Sequence, residues 1–138
     1  MSDGSIPAGL RYTKDHEWAK TTAGPSHDLE VTVGITAFAV EQLGDITLVN
    51  IDVKPGDEIT EGKTFGTIES VKTLSDLFAP ISGKVLKVNG DLEKKPELVN
   101  EDCYGKAWMI TIQPSDANAT NALMDEAAYG AHVKASAH

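Results

Sequence analysis

Apolar and polar side chains alternate with a period of two over residues 29–36. The apolar positions are Leu29, Val31, Val33 and Ile35, and the residues between them are polar or small. In an extended chain this period places one set of side chains on each face, so it predicts a half-buried strand. Residues 19–22 predict a second strand, and the turn residues 23–26 between the two segments predict a hairpin.

Further short apolar segments, separated by turn residues, continue along the chain. The strands that they predict are residues 46–52, 58–60, 64–69, 84–88 and 108–113. In the last of these, Trp108, Ile110 and Ile112 share one face, which predicts that they pack in the core, as we also expect for Trp18. Residues 96–106 show no regular period and predict an irregular segment.

Two helical segments complete the predicted secondary structure. Thr36 is suited to cap a helix over residues 37–43, and Gly44 is suited to end it. Residues 115–130 predict a C-terminal helical segment that is broken near Asp125. The predicted fold is therefore mostly β, a sandwich or a flattened barrel with a short helix after the second strand.

The chain is long enough for a single domain whose core needs no disulfide. We predict one domain over residues 9–131, with a β core that ends near residue 113. Residues 1–8 are mostly small or polar and predict a flexible arm, and residues 132–138 predict a frayed tail.

Acidic side chains outnumber basic ones by 21 to 12, which gives a formal net charge of −9. Such a chain is repelled by nucleic acid phosphates and by anionic membranes, so neither is an expected partner. No apolar run reaches the length of a membrane span, and the first residues lack the pattern of a secretory signal. The single cysteine, Cys103, excludes an internal disulfide and fits a reducing compartment. We therefore expect a cytoplasmic location in a bacterium, or the mitochondrial matrix for a processed eukaryotic form.

Lys72 lies at the centre of residues 66–80, a stretch that predicts strand, tight turn and strand. An exposed lysine has a pKa of about 10.4 and is a poor nucleophile at neutral pH. A function for this amine would therefore require covalent modification. Glu69 and Asp76 on the flanking segments would mark the lysine for a modifying enzyme. The alternative is an ordinary solvated lysine between two solvated carboxylates.

The sequence offers few parts of an enzyme. It contains no glycine-rich phosphate loop, no nucleophile elbow and no His-Glu-x-x-His metal pair. His16 and Cys103 form a candidate thiolate pair, but nothing in the sequence brings them together. We therefore predict a non-catalytic protein without a metal site, in which Cys103 is a small side chain in a loop.

Several separated motifs follow one another in a set order. Around the lysine they are Glu69-Ser70-Val71-Lys72, Ser75-Asp76 and Ala79-Pro80-Ile81-Ser82-Gly83. Upstream lie His16-Glu17-Trp18, Val33-Gly34-Ile35-Thr36 and Leu43-Gly44-Asp45, and downstream lie Val88-Asn89, Pro96-Glu97-Leu98-Val99-Asn100 and Tyr104-Gly105. Together they resemble the H-protein family of the glycine cleavage system, over nearly the whole chain from Ile6 to Tyr129.

The resemblance implies a barrel-sandwich hybrid fold with lipoate in amide linkage to Lys72. It implies a carrier that shuttles the aminomethyl group of glycine from the pyridoxal-phosphate-dependent glycine decarboxylase to the tetrahydrofolate-dependent aminomethyltransferase. Dihydrolipoamide dehydrogenase then reoxidises the arm, which a lipoate ligase or a lipoyl or octanoyl transferase attaches. The cofactor supplies the chemistry, and the protein carries, orients and shelters it.

The resemblance also implies a cleft that shelters the loaded arm from water. The candidate cleft residues are Glu17, Asp15, Asp76 and Phe38, and the residues beside the attachment point are Glu69, Ser70, Val71 and Asp76. A carboxylate in the cleft would attract the cationic aminomethyl nitrogen. The pair Ala37-Phe38 departs from the family, which often has an acidic residue and then histidine or another aromatic here. We therefore expect Phe38 to supply an apolar wall.

Three other interpretations stay open. A relay protein of the same fold would pass lipoate to other lipoyl domains, and the sequence does not distinguish this role. A biotin carrier also presents a lysine at a hairpin, but usually between two methionines, whereas Lys72 lies between Val71 and Thr73. The third is an interaction module with an unmodified Lys72.

Overall fold

A computed structural model of the chain describes residues 6–23 and 28–136. Within them the strands are β1 (Arg11–Tyr12), β2 (Glu17–Ala23), β3 (Leu29–Ile35), β4 (Ile46–Ile51), β5 (Glu58–Ile59), β6 (Thr64–Ser70), β7 (Leu74–Phe78), β8 (Gly83–Val88) and β9 (Ile110–Pro114). The helices are α1 (Ala37–Leu43), α2 (Asp91–Lys94), α3 (Leu98–Glu101) and α4 (Glu126–Ser136), with a 3-10 turn at Ala119–Ala122. The prediction of a mostly β chain with a short helix directly after the strand that begins at Leu29 is confirmed. This strand is the third and not the second, because β1 is not predicted from the sequence.

The strands form two antiparallel sheets. One has the order β1-β2-β3-β9-β8-β5, and the other has the order β4-β6-β7. The alternation seen in the sequence corresponds to β3, whose Val31, Val33 and Ile35 are buried in the main core. The strands of the second sheet all lie within residues 46–78, interrupted by β5, which pairs in the larger sheet. The turn of the β6–β7 hairpin, which carries Lys72, lies at one end of the second sheet.

A second, aromatic cluster joins the two ends of the chain. Tyr12, Trp18 and Tyr129 form it, and the rings of Tyr12 and Tyr129 stack with centroids 4.5 Å apart. The Trp18 indole covers Gly34 on the neighbouring strand, where a Cβ atom would come within 2.6 Å of the ring. The predicted burial of Trp18 is confirmed, whereas Trp108 precedes β9 and is only half-buried, so it does not share the core face of Ile110 and Ile112.

Three segments differ from what the sequence predicts. Helix α3 lies within residues 96–106, which predict irregular structure, and helix α2 lies just before them, where the sequence predicts no helix. Helix α4 continues to Ser136, beyond the point at which we expected a frayed tail, and His132 Nε2 lies 2.9 Å from the carbonyl oxygen of Lys14. At the other end, Ile6 packs against the aromatic cluster and Tyr12 Oη donates to the Pro7 carbonyl, while residues 1–5 of the predicted arm lie outside the described residues.

Candidate functional site

The turn between β6 and β7 is held by a single hydroxyl. Ser70 Oγ accepts hydrogen bonds from the backbone N–H groups of Lys72 and Thr73, both at 3.2 Å. The Ser70 N–H in turn donates to the Thr73 carbonyl at 2.8 Å, and the Val71 N–H donates to the Asp45 carbonyl at 3.0 Å. Serine side chains commonly stabilise turns in this way. The backbone that presents Lys72 is therefore fixed on both sides of the tip.

Lys72 is exposed at this tip, as the sequence predicts. Its side chain lies over Gly44, where a Cβ atom would come within 3.4 Å of Lys72 Cε. Gly44 has a φ of 84°, so it suits both the end of helix α1 and the close approach of the lysine. Lys72 makes no ion pair with any residue of the described ranges, so neither Glu69 nor Asp76 neutralises its charge.

A cleft of about 130 Å³ opens beside the lysine. Its lining residues are Asp15, His16, Glu17, Ile35, Ala39, Gln42, Leu43, Ile68, Ser75, Asp76 and Leu77. Leu43 directly precedes Gly44, so the cleft reaches the residue on which Lys72 rests. The structure thus brings together three of the predicted cleft residues, Asp15, Glu17 and Asp76.

Phe38 does not line this cleft. Its ring is buried against His16, with the two ring centroids 4.7 Å apart. The expectation that Phe38 forms an apolar wall of the cleft is therefore not met by its position. His16 takes the lining position instead, together with Gln42 and Ser75, which the sequence does not identify.

A larger cleft of about 460 Å³ meets the smaller one at Asp15 and Glu17. It is lined by Tyr12, Glu61, Phe78 and Met124 among others. Neither Lys72 nor Gly44 lines either cleft, but Leu43, which directly precedes Gly44, lines the smaller cleft and not the larger one. The smaller cleft is therefore the better candidate for an arm attached to Lys72, even though it has the lower volume.

Glu17 is the most buried carboxylate of the site, with 2% of its surface exposed. Its Oε1 accepts a hydrogen bond from Thr13 Oγ1 at 2.7 Å, and its Oε2 accepts one from the Phe78 backbone N–H at 3.2 Å. Burial raises the pKa of Glu17 to about 7, although both hydrogen bonds favour the charged form. Glu17 therefore links β2 to β7 and also holds a carboxyl group that ionises near neutral pH.

His16 is positioned by residues from distant parts of the chain. It has a φ of 70°, which is unusual outside glycine, and its Nδ1 lies 2.8 Å from Tyr129 Oη. Tyr129 Oη also lies 2.7 Å from Thr36 Oγ1, and the His132 ring stacks on His16 with centroids 5.3 Å apart. Burial, with the adjacent His132, lowers the pKa of His16, which favours the neutral form of the ring.

Cys103 does not form a thiolate pair with His16. Burial raises the pKa of the Cys103 thiol to about 11, and the Cys103 carbonyl accepts a hydrogen bond from the Trp18 indole at 3.0 Å. A thiol with this pKa is protonated at neutral pH and is a weak nucleophile. The sequence interpretation of Cys103 as a loop residue is therefore supported over a catalytic one.

Neither a metal centre nor a membrane anchor is found in residues 6–23 and 28–136. Within these ranges no group of three or more His, Cys, Asp or Glu side chains is placed to hold a metal ion. No helix there has the length and apolar character needed to cross a membrane.

Two antiparallel sheets with a lysine presented at a hairpin tip define a carrier domain of the barrel-sandwich hybrid class. The sequence matches the family of the glycine cleavage H-protein over residues 10–136. The chain therefore belongs to the glycine cleavage H-protein family.

Individual relatives agree with this assignment. A glycine cleavage system H protein from Anaeromyxobacter sp. (strain K) is 52% identical over 130 residues, which cover 94% of this chain and 96% of the relative. One from Bacillus licheniformis is 49% identical, with 94% and 98% covered. The crystal structure of a glycine cleavage system H protein from Mycobacterium marinum superposes with a TM-score of 0.80 at 36% identity, covering 91% of this chain and 97% of that one.

Family membership confirms the resemblance and the barrel-sandwich hybrid fold predicted from the sequence. It also confirms a lipoyl carrier that belongs to the glycine cleavage system and is not catalytic by itself. Membership implies partner proteins within that system.

Proposed function

We propose that Lys72 carries lipoate in amide linkage and that the chain shuttles the aminomethyl group of glycine. The route runs from glycine decarboxylase to the tetrahydrofolate-dependent aminomethyltransferase, and dihydrolipoamide dehydrogenase then restores the arm. The observation that supports this proposal is the exposed, unpaired Lys72 at a rigid hairpin tip beside a cleft. The bacterial sources of the relatives support a bacterial cytoplasmic location.

The residues present fit such an arm. The Lys72 amine is accessible for acylation, and the adjoining cleft offers the apolar side chains Ile35, Leu43, Ile68 and Leu77 to an aliphatic chain. Bound lipoate would supply a disulfide that accepts the carbon unit and the electrons. Glu69, Ser70, Val71 and Asp76 would flank the attachment point, with Ser70 fixing the turn.

The protein's own contribution would be shelter and electrostatic stabilisation. Hydrolysis of the carried group needs water, and a cleft filled by the arm excludes it. Glu17, with Asp15 and Asp76 nearby, would attract the cationic nitrogen of the carried group. Because the Glu17 pKa is about 7, a cation beside it would favour the ionised carboxylate.

Intact mass and an exchange assay test the proposal. Protein from lipoate-fed cells should carry a lipoyl adduct that Lys72→Ala loses, and Lys63→Ala, which removes an exposed lysine just before β6, should keep it. With glycine decarboxylase and labelled bicarbonate, the lipoylated wild type should exchange label into glycine. Fully lipoylated Glu17→Gln should release its carried group faster than the wild type.

Each contrary outcome points to a different class of protein. A biotinyl adduct would identify a biotin carrier, and no adduct would identify an interaction module. If the lipoylated protein supports no exchange, the proposed cleavage role is wrong and the lipoate relay is favoured.

A further inference from the structure

A third cleft, of about 440 Å³, lies between helix α2, the start of helix α3 and the segment that precedes β9. It shares no lining residue with the two clefts that meet at Glu17. Its volume is within the range of small-molecule sites in proteins, about 300–1,000 Å³. We call it the lysine pocket, and its polar and aromatic lining consists of Asn89, Asp91, Lys94, Lys95, Lys106 and Trp108.

One buried side chain holds the two walls of the lysine pocket together. Asn89 Nδ2 donates hydrogen bonds to the carbonyl oxygens of Lys106 at 2.9 Å and Trp108 at 2.7 Å. Asn89 Oδ1 accepts a hydrogen bond from the Asp91 N–H at 3.2 Å, at the start of α2. Only 6% of the Asn89 surface is exposed, and all three partners are backbone groups. The fold therefore fixes the backbone of Lys106 and Trp108 against the helix that carries Lys94.

The lysine pocket concentrates positive charge on an acidic chain. Its three lysines and one aspartate, Asp91, give the lining a net charge of +2, whereas the whole chain carries −9. None of these lysines forms an ion pair with any part of the chain that the structure describes. The Debye length is about 8 Å at physiological salt, so more distant acidic groups are screened while the lining lysines act at contact. A bound anion would gain their attraction and relieve their mutual repulsion.

Trp108 adds a planar apolar surface to this charge. The side chain is half-buried, and it packs against the aromatic cluster of Tyr12, Trp18 and Tyr129. The Trp108 indole N–H has no hydrogen-bond partner among residues 6–23 and 28–136, where every buried side-chain nitrogen has one. This N–H is therefore accessible to a ligand. Trp18 differs, because its indole donates to the Cys103 carbonyl.

We infer that the lysine pocket binds a nucleoside di- or triphosphate, with the phosphates on the lysines and the base against the Trp108 indole. Lysine binds phosphate as a point charge, without the two-pronged geometry with which arginine recognises a planar carboxylate. The several negative charges of a phosphate chain match the positive lining, and a planar base stacks on an indole face.

Two features of the pocket narrow this inference further. An acidic peptide would use the lysines but would not need a planar surface, so the presence of Trp108 favours the nucleotide. Lys72 does not line the pocket, so binding there does not require acylation of Lys72. The inference is therefore independent of the proposed function.

Calorimetric titration of the full chain with ATP, at about 150 mM NaCl, tests the phosphate contacts. Lys95→Gln and Lys106→Gln should each weaken ATP binding about fivefold, because each removes one positive charge from the pocket. The matched control is Lys20→Gln, at an exposed position of β2 outside the pocket, which should bind ATP like the wild type. All three lysines are exposed, so the variants should fold normally.

Inorganic triphosphate separates the phosphate contacts from the base contact. It carries no base, so the wild type should bind ATP about fivefold more tightly than inorganic triphosphate. Trp108→Leu should remove this difference and leave the binding of inorganic triphosphate unchanged. Nuclear magnetic resonance provides a second measurement on the wild type. ATP should shift the indole N–H signal of Trp108 and leave that of Trp18, which is bonded to Cys103, in place.

Each contrary result overturns a stated part of the inference. A wild type that binds no ATP, or equal affinities for Lys106→Gln and Lys20→Gln, would overturn the lysine pocket as a nucleotide site. Inorganic triphosphate that binds as tightly as ATP, with an unshifted Trp108 signal, would overturn the base contact. A hexaglutamate peptide that binds as tightly as ATP, and is weakened by the same lysine variants, would overturn the nucleotide in favour of an acidic segment of a partner protein. The attachment of lipoate to Lys72 would stand after any of these results.

Discussion

The buried side chain of Glu17 connects two parts of the fold and also has a raised pKa. It accepts hydrogen bonds from Thr13 and from the backbone of Phe78, so it holds the first part of the chain against β7. The same burial that allows these contacts makes ionisation costly and raises the Glu17 pKa to about 7. A group with this property leaves a measurable signature in the pH dependence of stability.

We expect Glu17→Gln to change that dependence. The folded protein binds the Glu17 proton more tightly than the unfolded chain, whose pKa is 4.5. The stabilising contribution is therefore complete below pH 4.5 and is lost as the pH rises through about 7. The wild type thereby loses about 3 kcal/mol of its free energy of unfolding. The variant, which has no titrating group at this position, does not lose it. Urea unfolding measures this free energy at pH 5 and at pH 8. Between the two pH values, the free energy of unfolding of the variant should rise by about 2 kcal/mol or more relative to that of the wild type.

Asp15→Asn is the matched control, because it removes one negative charge from an exposed position of the same cleft. A wild-type-minus-variant difference for Glu17→Gln that stays the same at both pH values would contradict the raised pKa.

Single residues differ in how far the sequence alone identifies them. Lys72 is predictable because a hairpin and its turn depend on neighbouring residues. Glu17 becomes a candidate only through the family resemblance, because its bond to Phe78 joins positions 61 residues apart. Gln42 and Ser75 are not identified, since they lie on α1 and β7, and only the folded chain brings them to one cleft.

At the scale of elements, helix α1 depends on contacts at its first turn. Thr36 Oγ1 accepts from the Ala39 N–H at 3.2 Å, and the Ala37 N–H donates to Tyr104 Oη at 3.0 Å. Through Tyr129 Oη, Thr36 is also connected to His16. Because α1 supplies Ala39, Gln42 and Leu43 to the cleft, the shape of the cleft depends on this cap.

Thr36→Val should therefore destabilise the protein by about 1–3 kcal/mol, because it keeps the shape of the side chain but removes the capping hydroxyl. Urea unfolding measures the change. Thr111→Val is the control, since Thr111 is also buried but lies in β9 and caps no helix. Equal losses for the two variants would show that the Thr36 hydrogen bonds do not stabilise the helix.

The predicted bounds of α1, residues 37–43, agree with the structure because its cap and its terminal glycine are local signals. Helices α2 and α3 have four residues each, too few to show a period. The position of α3 depends on Asn100, which accepts from the Ile46 N–H and donates to the Gly44 carbonyl. Such distant contacts are not visible in the sequence.

At the scale of the whole molecule, repulsion between like charges opposes compaction. The net charge is −9, and the ion pair found within the described residues, Lys54 with Asp57, is an exposed surface pair. Exposed pairs of this kind contribute little to stability. Most of the strands were open to prediction, although β1, with two residues, was not. Their division between two sheets was not predictable, because pairs such as Val31 with Ile112 join remote segments.

Added salt should therefore stabilise the protein near neutral pH. Between about 10 mM and 300 mM NaCl, screening of the acidic side chains should raise Tm by roughly 2–5 °C. Thermal unfolding followed by circular dichroism measures this shift. A fall in Tm with salt would mean that attractive ion pairs, rather than repulsion, dominate the electrostatic energy.

The short sequence separation between the strands of the second sheet has a consequence for synthesis on the ribosome. Strands β4, β6 and β7 all lie within residues 46–78, so the lysine hairpin can complete its pairing while later residues are still being made. The cleft needs His16, which is held by Tyr129 of the last helix. The attachment point can therefore be assembled early in translation, whereas its shelter can be assembled only after helix α4 has been made.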